Sequence, residues 1–81
     1  MLDSSALRVA IGLLQKGDWQ AAHEIVQQDE ESRLACWAHG IVHIMEGDLP
    51  NARYWYRAAK REFPKDVDVK AEVAALREAA R

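Results

Sequence analysis

The sequence predicts an all-α domain of five helices, and three observations predict it. Apolar residues recur at i, i+4 and i+7 instead of alternating, which places them along one face of a helix. Glycine, proline and short polar side chains punctuate these segments at helix-length intervals. Hydrophobic residues make up 49% of the 81-residue chain, and much of that is alanine, which suits closely packed helices better than disorder.

In chain order, Ser4 or Ser5 is placed to cap a first helix whose apolar positions are Leu7, Ile11 and Leu14. Gly17 ends it, because a residue without a side chain accepts the left-handed conformation after a last turn. Asp18 caps a second helix from Trp19 to about Gln28, with Ala22, Ile25 and Val26 inward. The acidic connector Asp29-Glu30-Glu31-Ser32 then supplies negative charge to the start of a third helix, which runs from about Ser32 to Glu46 and stops at Gly47. Asp48 and Pro50 start a fourth, which carries Ala52, Tyr56, Ala59 and Phe63 inward and ends at Pro64. Asp66 is expected to cap a fifth, with Val69, Val73, Leu76 and Ala80 on its apolar face. The organisation expected is one domain over residues 1–81: a hairpin at about 4–28, a second at about 32–63 and a closing helix at about 66–81.

A repeat emerges when the stops are aligned. Gly17-Asp18 recurs as Gly47-Asp48, and an alanine follows each aspartate by four residues, Ala22 and Ala52. A unit of this length, used twice, points to stacked helical hairpins. Residues 33–66 resemble one tetratricopeptide (TPR) repeat, with Gly40 at the small position of the first helix and Gly47-Asp48 at the turn. Ala52, Tyr56 and Ala59 take the second-helix positions, and Pro64 the terminal one. Residues 3–32 resemble a shorter repeat through Ala10, Gly17-Asp18, Trp19 and Ala22. The resemblance implies a right-handed array of two TPR-like hairpins closed by a solvating helix, and a binding role without a particular ligand. The words AAHE (21–24), H-x3-H-x2-EGD (39–48) and NA-x-YWY-x-A (51–58) also resemble a small bacterial family of TPR-like proteins without an established activity. That family usually has basic residues after the second histidine, where this chain has Ile44 and Met45.

Charge and cysteine content narrow the classes. Residues 1–50 carry three basic and eight acidic side chains, net −5, and residues 51–81 carry eight basic and five acidic, net +3. Cys36 is alone, which excludes an internal disulfide framework and fits a reducing compartment. No apolar run approaches the roughly 18 residues that span a bilayer, and MLDSSALR lacks the basic start of a secretory signal. A cytoplasmic location without membrane contact is the expectation.

Three constellations could carry function. On the third helix Leu34, Trp37, Ile41, Ile44 and Met45 form a broad apolar stripe, which the TPR resemblance turns toward the concave groove. Either the closing helix covers it or it docks a partner peptide or a second copy, with Arg53 and Arg57 contacting acidic groups. This protein–protein reading is the primary expectation, and no enzymatic activity is expected.

The second constellation is His39 and His43, one turn apart, with His23 and Glu24 on the preceding helix. Three imidazoles and a carboxylate suit zinc or another first-row metal. In the TPR resemblance these histidines replace bulky residues, so a packed polar cluster without a cofactor is the plainer reading. Cys36 on the same flank reads as a small buried hydrophobe ahead of a nucleophile. The third is the basic face of the fourth helix, where Tyr54 stands among Arg53, Arg57, Lys60 and Arg61 and could hold phosphate or stack a base. The overall acidity, pI ≈ 5.9, argues against avid nucleic-acid binding.

Overall fold

Five helices form in the computed structural model, which describes residues 2–81: α1 (Ser4–Lys16), α2 (Trp19–Val26), α3 (Arg33–Glu46), α4 (Leu49–Ala58) and α5 (Val69–Ala79). No strand occurs among the described residues. Each helix starts in the same way. Asp3, Asp18, Ser32, Asp48 and Asp68 each accept, through the side chain, the backbone N–H three residues on. That bond satisfies one of the four donors that a helix start leaves unpaired.

Two of these caps differ from the sequence expectation. Asp3, not Ser4 or Ser5, caps α1, with Oδ1 only 2.7 Å from Ala6 N. A carboxylate is both acceptor and counter-charge for the helix dipole, which a hydroxyl is not. Asp68, not Asp66, caps α5, so the closing helix is Val69–Ala79 and not 66–81.

The two Gly-Asp stops have the same geometry. Gly17 and Gly47 take φ of 87° and 91°, and the N–H of Asp18 and of Asp48 reaches back to the carbonyls of Leu13 and His43, each at 2.9 Å. This is the pattern that closes a helix on a left-handed residue. The end of α4 departs from expectation. Helix geometry stops at Ala58, Lys60 turns left-handed at φ 58°, and Arg61 N donates to Tyr56 O at 2.9 Å. The second hairpin therefore ends before Phe63 and Pro64. Phe63 leaves the helix and packs edge-on against Tyr56, ring centroids 5.1 Å apart.

α3 lies at the centre and packs against all four other helices. Its residues 35–44 are buried without a break, so it has no solvent face along that length. Small residues allow the approach. Ala10, Ala22, Ala38 and Ala52 are fully buried, and a Cβ on Gly40 would sit 2.5 Å from Tyr56 Cδ1. α5 packs on α1 and α3 through Val73 and Leu76. Glu72 fastens it, accepting from Tyr56 Oη at 2.6 Å and from Trp37 Nε1 at 3.2 Å through one oxygen.

The apolar stripe is consequently covered. Trp37, Ile41 and Ile44 lie in the core, and Leu34 and Met45 are half-buried against it. Of the two readings the sequence left open for this stripe, burial is the one the fold adopts. No helix among the described residues is long and apolar enough to cross a membrane.

Asp29 anchors the connector between α2 and α3. It is buried and accepts three backbone N–H bonds, from Leu2, Glu31 and Ser32 at 3.1, 3.0 and 3.0 Å. The Ser32 bond foremost holds its carboxyl below the usual range, against the opposing effect of burial. Asp29→Ala is expected to cost about 2–3 kcal/mol at pH 7, measured by urea unfolding. The native-state pKa is depressed, so this contribution is complete above the unfolded value of about 3.9 and is lost as pH falls through the lower native value. The gap between wild type and variant should therefore narrow at pH 3.

Candidate metal centre

His39 and His43 are one turn apart on α3, and their rings lie 5.0 Å apart and nearly parallel, at 24°. Packing of α2 on α3 brings His23 to both, at 4.8 Å from His39 and 5.3 Å from His43, edge-on in each case. One ring nitrogen from each histidine lies within 4.8 Å of the other two. The three side chains converge. His39 and His43 are buried, and His23 is half-buried, so the cluster meets solvent on the α2 side.

Two further side chains complete the surroundings. Trp55 of α4 lies flat on His39, centroids 3.8 Å apart and 8° from parallel. Glu46 Oε1 is 2.8 Å from His43 Nδ1. A carboxylate only accepts, so this contact makes Nδ1 the donor and leaves Nε2 as the ring nitrogen of His43 that can turn to an ion. A carboxylate behind a histidine in this way orients the ring and raises its basicity toward a cation.

His39 is the most constrained member. Its Nδ1 is buried and has no hydrogen-bond partner. Burial first, then the neighbouring His23 and His43, push its pKa down to about 4. At pH 7 the ring is neutral and carries an available lone pair, the state a metal requires. A neutral imidazole has one donor and one acceptor, and leaving either buried and unpaired is costly.

The carboxylate expected from the sequence is not there. Glu24 is exposed and outside the histidine group. It follows His23 by one residue, about 100° round the helix, so both cannot face α3. The nearby carboxylate is Glu46, which sits behind His43 and outside the three-histidine group, and its i+3 spacing from His43 was the signal that could have found it. Trp55 had no such signal, because its contact with His39 depends on how α4 packs. A second grouping of His43, Glu46 and Asp48 also has ligand atoms within 4.8 Å, but the Asp48 carboxylate already caps α4 through Asn51 N.

The other candidates lie apart from this cluster. Arg53 and Arg57 are exposed on α4. Cys36 is buried, with Sγ 3.4 Å from the Glu30 carbonyl. Burial, with Asp29 and Glu30 nearby, raises its pKa, so it is a thiol and not a thiolate nucleophile. In comparisons with family models, curated proteins and solved structures, the chain matches none.

Proposed function

We propose that the protein binds a divalent first-row transition metal ion, zinc by ligand chemistry, through His23, His39 and His43. The observation that carries this reading is the buried, neutral His39 with an unpartnered ring nitrogen, set between two further imidazoles. Three imidazole nitrogens and one open position form a ligand set that zinc accepts readily. Bonds of about 2.0–2.1 Å place tetrahedral ligand atoms about 3.3 Å apart, so loading draws the rings inward from their present spread. His23, half-buried on the short α2, is the ligand with room to move. The ion then ties α2 to α3, and so the first hairpin to the second.

The peptide-docking role that the TPR resemblance implies has less support. Its central anchors Trp37, Ile41 and Ile44 are committed to the core, which leaves only the half-buried Leu34 and Met45 at its edges.

The test is calorimetric titration of untagged, chelator-treated protein with zinc at pH 7. One equivalent should bind, and saturation at about 100 times Kd should add about 2.7 kcal/mol of stability, reversed by chelator. His23→Ala should abolish the stoichiometric binding and the stabilisation, yet fold without metal. Binding should weaken as pH falls, because protons compete with the ion for the ligand nitrogens. If no stoichiometric metal binds and melting is the same with zinc and with chelator, the proposal is wrong.

A further inference from the structure

A second site stands on the other side of α4. Trp55, which covers His39, lies about 200° round that helix from both Arg53 and Arg57. Those two arginines are one turn apart and share a face. The left-handed turn at Lys60 folds the chain back, returning Arg61 and Phe63 to the same place. Together Arg53, Arg57 and Arg61 surround a cleft of about 240 Å³ floored by Tyr56 and Phe63.

Two of the three guanidinium groups rest over aromatic rings, and none of the three is neutralised. Arg53 lies over the Phe63 ring at 5.0 Å and Arg61 over the Trp37 ring at 3.4 Å. Stacking occupies the flat faces and leaves the in-plane N–H donors free, with less rotamer freedom to lose when an anion arrives. Among the described residues the ion pairs are His43–Glu46 and Arg81–Glu78, and none involves these three arginines. Glu72, which lies by the floor, is engaged by Tyr56 Oη and Trp37 Nε1.

We propose that this cleft is an oxyanion site for a single phosphate group, free or carried as a monoester on a small molecule. Three guanidinium groups around one depression match a tetrahedral dianion in charge and in donor geometry. The size of the cleft fits one phosphate group and a short attachment. A nucleic acid fits less well on two counts. Tyr54, the exposed ring suited to stacking a base, does not line the cleft, and Phe63 already has Arg53 over its ring. The first 50 residues also carry a net charge of −5, which repels a long polyanion.

The experiment uses chelator-treated protein, so a failure of the histidine reading leaves it unaffected. Inorganic phosphate and phenyl phosphate are titrated separately by calorimetry at low ionic strength. Saturable binding of one equivalent is expected for at least one of them. Tighter binding of phenyl phosphate identifies a monoester as the ligand, and equal binding identifies free phosphate. Arg57→Gln, an exposed change, should weaken the affinity at least tenfold with unaltered melting, and Arg8→Gln on α1 should leave it unchanged. Any one of three results overturns the proposal: no saturable binding of either probe, equal loss in both variants, or a single-stranded oligonucleotide or phosphopeptide that binds and is not displaced by phosphate.

Discussion

Ile41→Glu is expected to leave no cooperatively folded domain at 25 °C. Ile41 is fully buried on the helix that touches every other helix. The substitution removes its packing, worth about 2–5 kcal/mol on truncation alone, and places a carboxylate where nothing pairs with it. A domain of this size has roughly 0.05–0.15 kcal/mol of stability per residue, so the two losses together are as large as the total. Far-UV circular dichroism and urea unfolding read the result directly. Met45→Glu, at a half-buried edge of the same stripe, should keep a cooperative transition and lose about 1 kcal/mol or less. The comparison separates a core from an interface. A folded Ile41→Glu domain that had lost only a binding partner would refute the packing described for α3.

Gly40→Ala should cost roughly 1–3 kcal/mol, although alanine is the better helix former by about 1 kcal/mol. The added Cβ would lie 2.5 Å and 2.7 Å from two carbons of the Tyr56 ring and 3.3 Å from the Ala52 carbonyl oxygen. Tyr56 has nowhere to go, because it is 1% exposed and its hydroxyl is held by Glu72 at 2.6 Å. Gly12, within α1, is the control. Nothing lies within 4 Å of a Cβ placed there, so Gly12→Ala should stabilise by up to about 1 kcal/mol. The same chemical change thus has opposite signs at the two sites. Thermal and urea denaturation of both variants check the pair, and a stabilised Gly40→Ala would contradict the α3–α4 contact.

Features set by a few adjacent residues were legible in the sequence. The caps at Asp18 and Asp48 and the stops at Gly17 and Gly47 each need only a short window, and all four are where the residues imply. Asp3 and Asp68 were missed because two or three acceptors stand close together, and the choice among them depends on where the helix axis must point. Pro64 was a reasonable stop for α4, but Phe63 and Tyr56 gain a contact by ending the helix earlier, and that gain is tertiary. The stripe on α3 was read as one face of a helix with two sides. A helix with neighbours all round has no such side, and periodicity cannot count neighbours.

The histidines show the same division. The spacing of His39 and His43 gave their shared face, and helix pairing gave His23. Glu24 failed because adjacency in sequence is divergence on a helix. The ring of Trp55 and the free nitrogen of His39 depend on packing between elements, and no local pattern encodes them, whereas the grouping of Arg53, Arg57 and Arg61 was already legible in their spacing.

The central position of α3 also sets how the domain comes apart. In an open solenoid each hairpin meets only its neighbours, and the ends can fray while the middle holds. Here the loss of any single helix strips apolar surface from the same buried element. The hairpins therefore stand or fall together, in one all-or-none transition, whatever their repetition in sequence suggests.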